Sequence, residues 1–491
     1  MLPDENWRGW RVAPFVVFAV YVAVRLAVFA ASDNGIDFHH NAYDRGLFVE
    51  HWLAHFELVP DAAYGPVGYY LTAATMALVP DPILAPRVLS LASSFALFGI
   101  VAILARRIFG VREAVLALVL LTAHPHGIRL SVVGLDMMPY AALVMAAFLA
   151  WDRWWTNPER VGLAAFAGFA FTVAAATRFE IWAVLPIVAV LALVRARRAG
   201  LAFVAANALF PAAWCAWQWK QTGDPLSFLR ISQGVSAIHM AALSLFERAI
   251  AWPAVLAHDA PLPTALLGLA AFITLRRTRR AWALMASAAW TFAVFETQAL
   301  RGAMGANETK YVMPLVVMLI PQAAAELARR LDGRWFEKFI ASGMSVILIG
   351  LSTLVTLADN ARFAVPGGAV EQAAFLRETP RAPERVVIGT SLQGWLLVHA
   401  NLRDGRAVLA APGPDGAFDE SGLRAILADP CVRYLAYEPD NPVDFAPVLR
   451  FADERIAERL GFTFARVFRS GDGRFAVYRV DREGGGVCAD G

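Results

Sequence analysis

The chain has 491 residues, 58% of them hydrophobic and only 17% charged, a balance too apolar for an ordinary soluble protein. Its net charge of +3 is unremarkable, and the mild acidity of 361–482 argues against a nucleic-acid partner. The apolar residues come in runs of roughly 15–22 fenced by charge, the pattern of a polytopic helical membrane protein, and the heavy use of Ala, Arg and Gly points to a bacterium with GC-rich DNA.

The first apolar run, 12–31, follows Arg8 and Arg11 and lacks a small-residue cleavage site, so it reads as an anchor with its N-terminus inside. The loop that follows, 32–64, then faces outside. It gathers Asp33, Asp37, Asp44, Glu50, Glu57 and Asp61 with four of the nine histidines, His39, His40, His51 and His55. The next stretch, 65–80, is short and opens on Gly and Pro. Counting it as a span would put Arg106, Arg107 and Arg112 outside, so it is read as a helix in the outer interface. Further spans are expected at 86–105, 113–128, 137–151, 161–177, 181–194, 199–219, 257–275, 281–300, 312–327 and 339–357. The turns this leaves inside (A-R-R-I-F-G-V-R, W-D-R-W-W, R-A-R-R, R-R-T-R-R, A-R-R-L-D-G-R) are all arginine-rich. The expected architecture is therefore about eleven transmembrane helices over 1–358, with the C-terminus outside, in a bacterial inner membrane.

After residue 358 the composition changes, and 361–482 reads as a soluble α/β domain on the periplasmic side. Strands are expected at V-V-I-G-T (386–390), A-V-L-A-A (407–411) and V-R-Y-L-A-Y (432–437), and helices at 371–377, 422–428 and 451–460. A closing hairpin turns at Gly471–Gly473, and 483–491 reads as a disordered tail. Cys215, Cys431 and Cys488 have no metal-ligand spacing. A Cys431–Cys488 bridge is one reading; unrelated free thiols are the expected one.

Several segments carry a resemblance. A-A-Y-G-P-V-G-Y-Y-L, A-P-R-V-L-S-L-A-S-S-F-A-L-F, A-R-R-I-F-G, R-L-S-V-V-G-L-D-M-M-P, T-R-F-E and E-T-K-Y-V-M-P-L occur in that order over roughly the first 320 residues. Together the chain resembles the C-type (GT-C) membrane glycosyltransferases, in the branch of protein O-mannosyltransferases and the lipid A aminoarabinose transferase. The resemblance puts Asp136 on a family aspartate. The family's Asp-Glu pair in the first loop is absent, since Phe38 follows Asp37 and Asp33 competes for the role. Tyr64-Gly65 stands where the family has His or Lys.

What the resemblance implies is transfer of a sugar from a polyprenyl-phosphate carrier to an envelope acceptor at the outer face. Asp37 is then the expected base for the acceptor hydroxyl, with a solvated loop acid as the plain reading. Asp136 orients donor or acceptor, or caps a helix. Arg178, Arg301 and Lys310 stand at the outer ends of spans, where guanidinium and ammonium groups suit a lipid phosphate, or else anchor ordinary headgroups. Glu180 balances Arg178, while Tyr311 and Tyr64 are candidate substrate contacts. No cofactor is expected. A divalent metal on His51 and His55, four residues apart, is the minor reading, as these more simply form the polar face of an interfacial helix. The rival function is a transporter or scaffold for envelope lipids or glycans.

Overall fold

A computed structural model describes residues 9–32, 36–59, 64–230, 243–259, 268–272, 278–302, 309–330, 344–362, 365–379, 383–389, 393–402, 405–409, 420–438, 449, 451, 455–482 and 488. The chain forms two compact units, one of Met1–Asn34 with Phe48–Ala361, the other of Gly35–Leu47 with Arg362–Gly491.

The first unit is helical. Its helices are α1 (Gly9–Ala31), α2 (Ile36–Ala54, whose first half groups with the second unit), α3 (Pro66–Met76), α4 (Leu84–Ile108), α5 (Val111–Thr122), α6 (Pro125–Leu130), α7 (Met137–Trp155) and α8 (Val161–Ala175). After a 3-10 turn at Phe179–Ala183 come α9 (Val184–Arg195), α10 (Arg197–Asn207), α11 (Leu209–Thr222), α12 (Leu245–Asp259), α13 (Trp282–Leu300), α14 (Met313–Arg330) and α15 (Met344–Arg362). Among the described residues, Val12–Ala31, Leu84–Ile108 and Arg197–Thr222 are long and apolar enough to cross a bilayer. Other expected spans take a different form. The 113–128 run breaks after Thr122 because Pro125 lacks the N–H that would continue the helix, and α5 with 12 residues is only about 18 Å long. The 65–80 segment, expected to be an interfacial helix and not a span, contains the 11-residue α3, too short to cross a bilayer.

Small residues let the helices approach closely. A Cβ on Gly168 of α8 would fall within 3.1 Å of Asn207 N on α10. Four residues on, the Thr172 hydroxyl donates across the same joint to the Ala206 carbonyl at 2.7 Å. The most deeply covered helix is α14, with fifteen of its residues buried, which fits its uninterrupted M-P-L-V-V-M-L-I-P opening.

In the second unit, six strands run β2-β1-β3-β6-β5-β4: β1 (Arg385–Gly389), β2 (Ala407–Leu409), β3 (Val432–Tyr437), β4 (Ile456–Arg459), β5 (Phe462–Arg469) and β6 (Ala476–Asp481). β1 pairs in parallel with β2 and β3, and the other pairs are antiparallel. Helix α16 (Gly367–Glu378) precedes β1, and α17 (Gln393–His399) and α18 (Glu420–Ala428) lie in the connections from β1 to β2 and from β2 to β3, as parallel strands require. The core includes Val387, Leu427, Leu435, Tyr437, Phe451, Phe464 and Tyr478.

Two expectations are overturned here. The segment expected to be helical at 451–460 contains β4, which pairs with β5 through Ile456–Ala465 and Arg459–Phe462. Leu460 and Gly461 both have positive φ, 57° and 81°, the two-residue turn that joins antiparallel strands; pairing with β5 overrides the helical propensity of I-A-E-R, 456–459. And Cys431 and Cys488 are not free thiols but a disulfide, with Cα atoms 4.8 Å apart. Cys215 is the free cysteine.

Candidate functional site

Asp136 stands at the N-cap position of α7, yet its carboxylate caps nothing. Instead it accepts a hydrogen bond from Arg178 Nη1 at 2.9 Å. Arg178 lies in extended backbone just before the 3-10 turn, and its Nε and Nη2 both donate to Glu180 Oε1, at 2.9 and 2.6 Å. Asp136 and Arg178 are both buried, and Glu180 keeps 14% of its side-chain surface exposed. Two carboxylates on one guanidinium leave this trio with a net charge of −1. Burial by itself pushes the Arg178 pKa down, but the Asp136 and Glu180 carboxylates outweigh it and hold the guanidinium firmly charged. Buried charges of this kind persist only when paired. Among the described residues, one N–H on each Nη of Arg178 makes no hydrogen bond, and its Cζ lies 5.3 Å from the centroid of the Tyr311 ring. The structure thus brings together four of the residues singled out in the sequence, Asp136, Arg178, Glu180 and Tyr311.

A fifth, Tyr64, comes to the same place through its neighbour. Gly65 packs against the backbone just ahead of Arg178, where a Cβ would fall 2.7 Å from Ala176 C and 2.9 Å from Thr177 C. Val67 N donates to Ala176 O at 3.0 Å, satisfying one of the N–H groups left open at the start of α3. The sequence marks Gly65 only by its lack of a cation. The structure makes it a point of backbone contact, and the Gly-Pro helix start was the readable signal. Tyr64 itself is exposed.

The remaining candidates lie elsewhere. Arg301 is the exposed C-cap of α13, and no hydrogen bond or ion pair joins it to the trio. Lys310 belongs to the 3-10 turn Thr309–Val312 beside Tyr311, but its side chain is outside the described residues. Asp37 occupies the first turn of α2 rather than a loop, its side chain likewise outside, and Asp33 is outside altogether. His55 Nδ1 lies 3.2 Å from the His51 carbonyl, and the two rings are 4.6 Å apart. No group of three metal-ligating side chains comes together among the described residues. His124 caps α6, its Nδ1 accepting from Gly127 N at 2.9 Å, a helix-terminating role.

No protein-family model and no curated protein matches the sequence. Solved structures do match. ArnT from Cupriavidus metallidurans, an aminoarabinose transferase bound to undecaprenyl phosphate, superposes with a TM-score of 0.63 at 15% identity, over 94% of this chain and 97% of its own. The oligosaccharyltransferase AglB from Archaeoglobus fulgidus, in complex with an inhibitory peptide and a dolichol-phosphate, gives 0.52 at 13% identity, over 96% of this chain and 74% of its own. A second structure of the Archaeoglobus oligosaccharyltransferase, tethered to an acceptor peptide, gives 0.52 at 14% identity, over 97% of this chain and 74% of its own. With nearly its whole length superposed on these glycosyltransferases, the chain has the GT-C fold.

Proposed function

We propose that this chain is an inverting glycosyltransferase of the bacterial inner membrane, moving a sugar from a polyprenyl-phosphate carrier to an envelope acceptor on the outer face. The observation that carries the proposal is the GT-C fold over 94% of the chain, shared with a transferase that holds undecaprenyl phosphate. The acceptor oxygen attacks the anomeric carbon as the bond from that carbon to the phosphate oxygen breaks. The lipid phosphate leaves with the bonding electrons, and the acceptor proton passes to the Asp37 carboxylate. Arg301 and Lys310 neutralise the leaving phosphate. Arg178, whose charge is matched by Asp136 and Glu180, contributes its remaining N–H groups. The two carboxylates and Tyr311 orient sugar or acceptor hydroxyls, with Tyr64 alongside. No cofactor enters this scheme, and the sheet domain lies on the periplasmic side.

The test is single-turnover transfer from a polyprenyl-phosphate sugar, with donor binding measured in parallel. Asp37→Asn keeps the shape and loses the basicity, so turnover is expected to fall by about 10²–10⁴-fold with donor binding retained. Asp33→Asn is expected to be near normal. Lys310→Ala is expected to weaken donor binding together with rate. A dead Asp33→Asn beside an active Asp37→Asn would move the base by four residues. Full activity in Asp37→Asn, Asp33→Asn and Asp136→Asn together would remove the enzymatic reading in favour of a lipid path.

A further inference from the structure

Four of the arginine-rich turns meet around the end of α7. Asp152, in the last turn of that helix, is 2% exposed and is held by arginines from two other segments. Arg107 at the end of α4 donates Nε to Asp152 Oδ2 at 2.7 Å. Arg280, just before α13, donates Nε to Oδ1 and Nη2 to Oδ2, both at 2.8 Å. From the end of α9, Arg195 donates Nη2 to the Trp155 carbonyl at 3.1 Å and lies 5.0 Å from that indole's centroid.

Helix dipoles do not explain this placement. An acid at a helix C-terminus and an arginine at a helix N-terminus are each on the unfavourable end, so Asp152 and Arg280 are held by one another. Nor does charge balance close the account. Two guanidinium groups on one carboxylate leave +1, and Arg195 raises it to +2. Arg107 and Arg280 remain 36% and 32% exposed at the side chain. Both Nη groups of Arg107 and Nη1 of Arg280 make no hydrogen bond to the described residues. Asp152 therefore fixes two guanidinium planes while leaving their outer donors open. Beside them, Trp155 stacks on Trp151 with centroids 5.5 Å apart, and indoles favour the depth of lipid headgroups.

We propose that Arg107 and Arg280, braced by Asp152 and flanked by Arg195 and Trp155, form a seat for the headgroup of one anionic phospholipid. Fixed guanidinium donors match the oxygens of a phosphodiester, and basic sites between membrane helices take anionic headgroups. A zwitterionic headgroup brings its own cation and gains little from a +2 site. The proposal rests on the chain being a membrane protein and is independent of sugar transfer.

The experiment is native mass spectrometry and thermal unfolding of the full chain in neutral detergent, titrated with phosphatidylglycerol, phosphatidylcholine or inorganic phosphate. Phosphatidylglycerol is expected to be retained and to raise the unfolding temperature, and the other two are not. Arg107→Gln is expected to weaken retention about fivefold, whereas Arg424→Gln, the same charge change in the sheet domain, is expected to leave it unchanged. If Arg107→Gln does not fold, Arg107→Lys decides, with weaker retention at unchanged stability supporting the seat. Equal loss in the two Gln variants, or unchanged retention in whichever Arg107 variant folds, would overturn it. Protection by inorganic phosphate equal to that by phosphatidylglycerol would replace the lipid by a simple anion, and equal retention of phosphatidylcholine would abolish the charge argument.

Discussion

At Gly65 a single hydrogen in place of a side chain decides whether α3 reaches the backbone in front of Arg178. A Cβ there would press on the Ala176 carbonyl and the Thr177 carbonyl carbon, main-chain atoms that cannot rotate away. Gly65→Ala is accordingly expected to destabilise by about 1–3 kcal/mol, the cost of overpacking, and to disturb the Arg178 segment. Gly99 is the matched control, being inside α4 with nothing within 4 Å of a built Cβ. There the same substitution removes helix-interior glycine and is expected to stabilise by about 0.5–1 kcal/mol. Thermal unfolding of both variants in detergent measures the two signs, and a stabilising Gly65→Ala would refute the close approach. Asp136 was legible in the sequence because an acid beside an apolar span is costly without a purpose. Its partnership with Arg178, 42 residues away, was not, since nothing local to T-R-F-E or L-D-M-M says which acid its arginine will meet.

At the scale of elements, the helices use one device twice. Pro125 removes the donor that would have closed on the Leu121 carbonyl, and Arg25 Nη2 of α1 donates to that carbonyl at 3.3 Å. Pro211 does the same to the Asn207 carbonyl, which lies 3.0 Å from the Thr172 hydroxyl of α8 and shares that hydroxyl's single proton with the Ala206 carbonyl at 2.7 Å. Away from water a stripped carbonyl needs another partner, and a neighbouring helix supplies it. Thr172→Val keeps the shape and removes the donor, so a loss of about 1 kcal/mol is expected. In a Pro211→Ala background a main-chain N–H is available again, and the same substitution is expected to cost less. Thermal unfolding of the four members of the cycle reads this coupling, and strictly additive effects would mean that the hydroxyl serves some other purpose. The prolines were visible in the sequence, yet 113–128 reads there as one span across Pro125, because the apolar run itself continues past it. The compensating donors stand 96 and 35 residues away, beyond any periodicity. The strand at 456–459 was missed for a similar reason, because β5 imposes it from outside the segment.

For the whole molecule, two features in different units bear on sidedness without reference to one another. In the helical unit, arginines from several turns gather about Asp152 and Trp155, and such turns stay in the cytoplasm. In the sheet unit, Cys431 and Cys488 are joined across 57 residues, a bond that survives outside the cytoplasm and is reduced within it. In the proposed topology the first feature marks the arginine turns as the inner side, and the second marks the sheet domain as the outer side. A reporter active only outside the cytoplasm is thus expected to be active when fused after Asp359 and silent when fused after Arg280. A thiol reagent that cannot cross the membrane is expected to leave Cys431 and Cys488 unlabelled in intact cells until a reductant is added, and then to label both. Cys488→Ser should leave the fold of the helical unit intact while costing the sheet domain about 2–4 kcal/mol, the contribution of a crosslink closing a long loop. Labelling of both cysteines without reductant would remove the bridge as a marker of compartment. An active fusion at Arg280 with a silent one at Asp359 would reverse the molecule, turning 65–80 into a span and placing the arginine cluster at the outer face.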